Sequence, residues 1–264
     1  RFLIRAAAAF VNCDVCYLSL SQSVKGNVRD LLLMLLAIRT PVVVHLHGGG
    51  IDRMVFGRFP LLGKLNRLIY RRRVSRAIVL SHSLTSRLSR VCPDNRIVPI
   101  PNMVEDELLL SDSEVTSKHG TSEVTQILFL SNVFSTKGYQ DFLEGVELLT
   151  PSERRRVKIQ IAGACEYPSD ERYVDRFLKT YSGSASYHGI VRGDRKRSLL
   201  REAQVFVLPT YYPYEGQPIA LLEAMASGCV IIATEQGGIG DVFVSPASGI
   251  TVPPHDSSAI RRAI

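Results

Sequence analysis

Short apolar runs alternate along the chain with longer segments whose apolar residues recur at helical spacing. The runs predict strands at 14–20, 41–46, 76–80, 96–100, 126–130, 157–162, 186–188, 205–208 and 230–233. The longer segments predict helices at 28–39, 61–75, 84–91, 139–149, 170–181, 195–203 and 218–227. Regular alternation of strand and helix is typical of βαβ units, so we expect an α/β fold with parallel sheets.

An acidic, Ser/Thr-rich segment interrupts this rhythm after Pro101 and Asn102. We therefore predict an N-terminal domain at 1–103, a linker at 104–124 and a C-terminal domain at 125–264. Both domains are expected to be Rossmann-like and to face each other across a cleft. The chain starts at Arg1 and stops within a predicted helix start, so both domains are expected to be incomplete.

Composition excludes several classes of protein. The 264 residues are 45% hydrophobic and 22% charged, which is ordinary for a globular protein and unlike a disordered or collagen-like chain. The longest apolar run, 31–38, is far shorter than the ~20 residues of a membrane-spanning helix. Five scattered Cys do not form a disulfide scaffold, and Cys13 and Cys16 are interpreted as buried thiols.

Charge is divided unevenly along the chain. Residues 1–103 hold 16 Lys and Arg against four Asp, a sum of +12, whereas residues 104–264 sum to −5. Six cations lie within 64–76, which indicates either a solvated helix face or an anionic partner such as a membrane surface. No nucleic acid partner is expected, because these cations lack the series of aromatic residues that a base-stacking platform requires.

The richest stretch is 205–234, where a strand leads through a Tyr/Pro/Gly loop into a helix that opens with Pro218 and ends at Gly228. Such a loop lies at the carboxyl edge of a parallel sheet, where α/β domains bind ligands. Backbone N–H groups of Gly216 and Gln217 would suit a phosphate there. Glu223 stands among apolar residues, so its carboxylate needs either a diol such as a ribose or an internal Lys or Arg.

Seven residues separate Glu215 from Glu223, and the surrounding EGQPIALLEAMASGCVIIAT resembles the E-x7-E motif of the family 4 glycosyltransferases. Further similar stretches are VVVHLHGGG at 42–50, AIVLSHSLTSRL at 77–88, RIVPIPNMVE at 96–105, FLSNVFSTKG at 129–138, YHGIV at 187–191, GGIGDV at 237–242 and SGITVPPHD at 248–256. The resemblance spans nearly the whole chain, without the family's first strand, glycine-rich loop and closing helices. It implies a retaining, nucleotide-sugar-dependent enzyme of the two-domain GT-B fold, in which the domain at 1–103 forms the acceptor side and the domain at 125–264 binds the nucleotide sugar.

The resemblance also implies roles for single residues. Glu223 would hold the ribose hydroxyls of the donor, while Glu215, Gly216, Gln217 and Pro218 would lie beside its sugar and phosphates. Glu215 is counted with the catalytic residues for this reason.

The same resemblance places Lys137 against the departing diphosphate, where a cation stabilises the developing charge. Many relatives carry a Gly-Arg pair where this chain has Ser131 and Asn132. Asn132 is counted with the donor-binding residues, and Arg192 is the candidate that replaces the missing cation.

His47 follows a predicted strand and precedes three glycines, Gly48 to Gly50, which permit close approach of a ligand and positive φ. In similar enzymes this histidine reaches the donor sugar, so His47 is the third catalytic candidate; His45 competes with it. Asp-x-Asp is absent from the sequence, so no metal site is expected, and no cofactor is expected beyond the donor itself.

Together these features indicate a glycosyltransferase that moves a sugar from a nucleoside-diphosphate donor to a saccharide or lipid-linked acceptor in cell-surface polysaccharide or glycolipid synthesis. We expect a cytoplasmic location, either free or peripheral at the inner face of the membrane. The alternatives are a nucleotide-sugar epimerase of the same fold, an inactive nucleotide-sugar-binding module and, as a third option, a nucleic-acid binder.

Overall fold

The structure, a computed structural model, describes residues 9–10, 12–120 and 123–264. Residues 1–8 of the predicted N-terminal domain and 121–122 of the predicted linker lie outside the described residues. The chain divides into two compact units. The first unit comprises Arg1–Asn102 and Pro213–Gln217, and the second comprises Met103–Tyr212 and Pro218–Ile264.

The first unit is built on a four-stranded parallel sheet in the order β1-β2-β3-β4. Its strands are β1 (Cys16–Ser19), β2 (Val42–Leu46), β3 (Val74–Val79) and β4 (Ile97–Pro99). Its helices are α1 (Val24–Leu36), α2 (Pro60–Arg73) and the short α3 (Ser86–Ser89), with a π-helical turn at Asp52–Phe56 and a 3₁₀ turn at Asp94–Arg96. β2 buries Val42, Val44 and Leu46 at alternate positions, and with Val74, Ala77 and Val79 of β3 they form the centre of its core.

A buried polar contact joins α1 to α2. Asn27 and Asn66 are fully buried and exchange two side-chain hydrogen bonds, each 2.9 Å long. Arg73, at the end of α2, donates to the carbonyl oxygens of Met34 and Ile38 at 3.1 and 3.0 Å. These bonds satisfy carbonyl groups that the end of α1 leaves unpaired, so the two helices are fixed to each other at both ends.

The second unit contains a six-stranded parallel sheet in the order β10-β9-β8-β5-β6-β7. Its strands are β5 (Thr125–Leu130), β6 (Val157–Ala162), β7 (Ala185–Tyr187), β8 (Val205–Leu208), β9 (Val230–Ala233) and β10 (Gly249–Thr251). Its helices are α4 (Asp112–His119), α5 (Tyr139–Glu147), α6 (Pro151–Arg154), α7 (Pro168–Thr180), α8 (Gly193–Glu202), α9 (Ile219–Ala226) and α10 (Ser257–Ala263), with 3₁₀ turns at Asp106–Leu108, Ser135–Lys137 and Ile239–Asp241. The strand order reverses direction between β5 and β8, and this reversal marks the place where doubly wound sheets bind ligands.

All nine predicted strands are present, with boundaries that differ by at most two residues. Strand β10 and helices α4 and α6 were not predicted, because β10 and α6 are three and four residues long and α4 has almost no apolar face. Helix α4 starts with a capping box in which Ser111 and Glu114 bond each other's backbone N–H groups. That Ser-x-x-Glu signature was visible in the sequence.

The expectation that Cys13 and Cys16 are both buried is wrong. Cys16 on β1 is buried, and burial raises the pKa of its thiol, but Cys13 precedes the strand and is exposed. The pair is therefore not a pair of core residues. Throughout the described part of the chain, none of the helices has the length and apolar character that a membrane span requires.

Candidate functional site

A pocket of about 350 Å³ opens at the carboxyl ends of β5, β6 and β7 in the second unit. The loops after these strands contribute Asn132, Gly163 and Arg192, and helices α8 and α9 contribute Lys196 and Glu223. Parallel strands bring these residues, which are separated in sequence, to one sheet edge. The charged residues of the pocket carry both signs, with Arg192 and Lys196 positive and Glu223 negative.

Glycines permit the tight loops at this edge. Gly138 has a φ of 74°, and a Cβ atom there would lie 2.2 Å from the carbonyl oxygen of Pro209. Thr136 accepts hydrogen bonds through its carbonyl oxygen from Thr210 Oγ1 and Tyr211 N, at 3.2 and 2.9 Å. The loop after β5 is thereby held against the loop after β8, and only glycine fits between them.

Glu223 has an internal partner. Its Oε1 accepts from Lys196 Nζ at 2.5 Å, the carboxylate is 7% exposed and the Lys196 side chain is 25% exposed. The carboxylate of Glu223 is therefore paired with an internal Lys, which was one of the two partners considered from the sequence. Its burial alone does not imply that a diol binds there. Both side chains nevertheless line the pocket, and no described residue hydrogen-bonds Glu223 Oε2, so this oxygen remains available to a ligand hydroxyl.

Asn132 and Arg192 line the same pocket. Both are exposed, and Arg192 directly precedes helix α8 in extended conformation. Asn132 stands where many relatives carry an arginine, and Arg192 is the candidate to replace that cation; the structure places both in one pocket.

Lys137 lies in the loop that follows Asn132 and ends its 3₁₀ turn just before Gly138. Its Nζ lies 5.0 Å from the centre of the Tyr212 ring, within range of a cation–π interaction. The side chain is half-buried at the carboxyl edge of the sheet. This position suits contact with an anion bound at that edge.

In the first unit, His47 directly follows β2 and is exposed. Its ring stacks on the ring of His45 at a centroid distance of 3.9 Å. His45 Nδ1 lies 2.5 Å from the hydroxyl oxygen of Tyr17, and burial, with His47 nearby, lowers the pKa of His45. Burial therefore favours the neutral form of His45 by lowering its pKa, whereas the ring of His47 is exposed.

The three glycines after His47 serve an internal contact, and none of them has positive φ, contrary to one expectation. Gly49 N donates to Tyr214 O at 3.1 Å, and a Cβ at Gly50 would lie 1.8 Å from Tyr214 Cδ1. In return, a Cβ at Gly216 would lie 2.1 Å from His47 O. The segment 213–217 therefore packs directly on the glycine turn.

This packing involves the donor-binding candidate Gln217 and the catalytic candidate Glu215. Gln217 is buried, and its Oε1 and carbonyl oxygen accept from Asn102 N and Nδ2 at 2.7 and 2.9 Å. Glu215 is 7% exposed. The structure thus places His47, Glu215, Gly216 and Gln217 together in the first unit.

Pro218 and Glu223 belong to the second unit with Asn132 and Lys137. Pro218 is the N-cap of α9, and the helix proper begins one residue later than predicted. Gly228 follows the helix with a φ of 66°, which confirms the predicted left-handed cap.

Sequence reasoning missed Lys196 and Gly163. Lys196 was hidden among the four cations of 192–197, although its place in the first turn of α8 was a signal that it could face the sheet edge. Gly163 has a φ of 138°, and a Cβ there would lie 1.8 Å from Ser131 O. Within the described residues, no group of three or more His, Cys, Asp or Glu is arranged to hold a metal ion.

Comparison with known proteins identifies the family of this chain. The family described as glycosyl transferases group 1 matches residues 124–264, which is more than half of the chain. An uncharacterized glycosyltransferase of Methanocaldococcus jannaschii is 29% identical over 137 residues, 51% of this chain and 33% of that protein. The colanic acid biosynthesis glycosyltransferase WcaL of Salmonella typhimurium is 38% identical over 68 residues, 24% of this chain and 17% of that protein. The matched segments thus span a third or less of these curated relatives.

Among solved structures, HepE of Anabaena in complex with UDP-glucose superposes with a TM-score of 0.73 at 17% identity, covering 98% of this chain and 70% of that one. At this identity the likeness shows the fold, which is the GT-B fold of glycosyltransferases with its two parallel sheets. A sheet-edge pocket, a matching fold and a family match over 124–264 lead to one conclusion: the chain belongs to the glycosyl transferases group 1.

Proposed function

We propose that this chain forms part of a retaining glycosyltransferase that takes a sugar from a nucleoside-diphosphate donor and transfers it to an acceptor hydroxyl. The single observation that carries the proposal is the pocket at the ligand-binding edge of the second sheet, where Glu223, Lys196 and Arg192 meet. The HepE structure contains UDP-glucose, which supports a donor of this class. The family and the two curated relatives are glycosyltransferases, so neither the epimerase nor the inactive module is favoured.

In the second unit, Glu223 Oε2 is assigned to the ribose hydroxyls while Lys196 holds Oε1 in place. Arg192 and Lys137 are assigned to the diphosphate, since the negative charge that develops on the leaving group is stabilised by fixed cations. Asn132 lies in the same pocket as Arg192 and contributes a neutral hydrogen-bonding group. Pro218 ends the loop before α9, whose N-terminal N–H groups favour an anion.

In the first unit, His47 is assigned to a contact with the transferred sugar, because its ring is exposed at the carboxyl end of β2. Glu215, Gly216 and Gln217 are assigned to the sugar and its phosphates. The glycine turn and Asn102 hold these three residues in a defined conformation before any donor binds. Preorganisation of this kind lowers the entropy cost of binding and reaction.

For the acceptor we propose a saccharide or a lipid-linked saccharide, in the synthesis of a cell-surface polysaccharide or glycolipid. WcaL is named for colanic acid biosynthesis, and colanic acid is a polysaccharide, which supports this class. We further propose a cytoplasmic protein that attaches peripherally to the membrane. The +12 charge of residues 1–103 supports that location, since cytoplasmic leaflets carry anionic lipids.

The first experiment is a screen of UDP-, GDP- and ADP-sugars for protection of the full-length protein against heat. A bound donor stabilises the folded protein by RT ln(1 + L/Kd), where L is the concentration of free donor, and so raises the midpoint of unfolding as L exceeds Kd. We expect sugar donors with one of the three nucleobases to protect the protein. Arg192→Gln should weaken the binding of that donor by about tenfold, because one charge-assisted contact is lost. Arg172→Gln, an exposed cation on α7, is the matched control and should leave protection unchanged.

Product analysis then tests the chemistry. The protecting donor is incubated with candidate acceptors, and the anomeric configuration of the product is determined by NMR. A product with the configuration of the donor is expected. Inversion would contradict the retaining mechanism, free epimer without acceptor would indicate an epimerase, and protection without any turnover of the full-length protein would indicate a binding module.

A further inference from the structure

Helices α1 and α2 expose a series of aliphatic side chains that the core does not use. Val28, Leu32 and Leu35 of α1 are 42–49% exposed, and Leu61 of α2 is 81% exposed. The remaining members of the series are Leu65 and Leu68 of α2, at 45% and 48%. We call the exposed side of this helix pair the outer helical face.

The aliphatic residues on each helix follow the spacing i, i+4, i+7, so they form one stripe along each helix. The buried residues of each helix, Leu31 and Met34 of α1 and Ile69 and Tyr70 of α2, adjoin these stripes and pack in the core. The stripe side chains thus stay exposed beside the buried side of each helix. Contiguous apolar surface of this kind marks an interaction site in a globular protein.

Cations accompany the apolar stripe of α2. Lys64, Arg71 and Arg72 are exposed, and within the described residues none of them pairs with a carboxylate. Residues 53–93 contain ten Lys and Arg and not a single Asp or Glu. The partner of this face must therefore carry negative charge.

An anionic lipid bilayer matches both features. An amphipathic helix lies in the membrane interface with its aliphatic side chains at the acyl boundary, while Lys and Arg contact the headgroups. A second copy of the chain would bring the same unpaired cations together, which is unfavourable. A nucleic acid would pair with the cations but would leave six aliphatic side chains in water.

The contacts between the helices make this face rigid. The reciprocal Asn27–Asn66 bonds and the Arg73 bonds to the end of α1 fix the two stripes relative to each other. A preformed surface binds without the entropy cost of ordering two separate helices.

We propose that the outer helical face is the membrane-docking surface of this protein, with Leu61, Leu65 and Leu68 inserted at the headgroup boundary and Lys64, Arg71 and Arg72 on anionic headgroups. The inference specifies the surface for the peripheral location proposed above and rests on that part of the proposed function. Donor binding is assigned to the pocket of the second unit and to His47 and residues 215–217, none of which belongs to this face, and it is tested separately.

The experiment is co-sedimentation of the full-length protein with phosphatidylcholine vesicles that contain about 30% phosphatidylglycerol. We expect binding at low ionic strength, strong weakening at ~0.5 M salt and little binding to pure phosphatidylcholine. The triple variant Lys64→Gln/Arg71→Gln/Arg72→Gln should bind about 100-fold more weakly, since each cation near the surface contributes a factor of roughly five. The triple variant Leu61→Ser/Leu65→Ser/Leu68→Ser should lose at least about tenfold through reduced apolar burial.

Matched controls carry the same changes on the second unit. Lys158→Gln/Arg172→Gln/Lys179→Gln removes three exposed cations, and Leu109→Ser/Leu148→Ser/Val244→Ser removes three exposed aliphatic residues. Both controls should bind vesicles like the parent protein, and all variants should keep donor-dependent heat protection. If no donor protects the parent protein against heat while vesicle binding is intact, the proposed donor is wrong and the proposed docking surface is unaffected.

Three results would overturn the docking surface. The first is equal vesicle binding by the parent protein and both face variants. The second is a dimer in solution that the Leu→Ser variant dissociates while vesicle binding is unchanged, which would make the face an interface between copies. The third is loss of affinity for duplex DNA, rather than for vesicles, in the Lys/Arg→Gln variant.

Discussion

The two units use one architecture for different surface chemistry. Both have parallel sheets with helices between consecutive strands. The second unit forms exposed ion-pair clusters, such as Arg197 with Glu105, Glu107 and Asp194. The helices of the first unit instead expose unpaired cations and aliphatic stripes. The second unit has a pocket lined by charges of both signs. The comparison shows that the fold positions loops and helices, while side chains at the sheet edge and on the outer helices decide what each unit can bind.

The largest expected effect tests how strictly the second unit depends on its loop glycines. Gly138→Ala should lower the free energy of unfolding by about 3 kcal/mol, because it combines positive φ with a backbone clash at Pro209. Gly193→Ala is the control: its φ is 50°, but no atom lies within 4 Å of the added Cβ. Urea unfolding measures both. If both variants lose the same unfolding free energy, the positive φ of the glycine determines the loss and the contact with Pro209 does not contribute.

The next prediction concerns the carboxylate in the pocket of the second unit. Glu223→Gln should lower the affinity for the protecting donor by about 100-fold, because a charged acceptor of the ribose hydroxyl hydrogen bonds is replaced by a neutral amide. Titration calorimetry with the donor gives the affinity. Glu166→Gln, an exposed carboxylate in the same unit, is the control. An unchanged Kd for Glu223→Gln would remove the ribose assignment, and the Lys196 pair would then be a structural contact only.

In the first unit, the corresponding test addresses the buried amide pair. Asn27→Ala should cost about 2 kcal/mol of unfolding free energy, since it leaves Asn66 without its partner in the core. The double variant Asn27→Ala/Asn66→Ala should cost less than the sum of the single changes, because the two side chains act as one contact. Asn95→Ala, at an exposed position, should be neutral. Strict additivity in denaturant unfolding would contradict the pairing.

The smallest effect is a pH dependence that each unit should show through one histidine. Burial lowers the pKa of His45 next to His47 and of His188 next to Arg195, below the usual 6.5. The unfolded chain then binds more protons than the folded protein below about pH 6.5, so stability should fall as the pH decreases through this range.

His45→Gln and His188→Gln should each make the decrease in unfolding free energy between about pH 7 and pH 5 less steep. Chemical denaturation at several pH values measures the slope, with the exposed His82→Gln as control. A steeper slope in either variant would reverse the sign of the argument for that histidine.

Sequence reasoning located the strands because a parallel sheet buries both faces, and a continuous apolar run is a strong local signal. It failed for α4, whose stability comes from a capping box and from Lys118, which donates to the carbonyl oxygens of Leu200 and Ser227. It also placed Glu223 correctly in the helix but could not identify Lys196 as its partner. The capping box is a local pattern, but the contacts of Lys118 and Lys196 join residues that are far apart in sequence, so no local pattern contains them.

What the sequence determined by itself was the βαβ alternation, the change of charge between the two parts of the chain and the set of candidate residues at strand ends, because these depend on local periodicity and composition. What only the tertiary structure decided was which of those residues meet. The glycine turn after His47 packs on Tyr214 and Gly216, and Glu223 pairs with Lys196, because folding brings strand ends from different parts of the chain to the same edge.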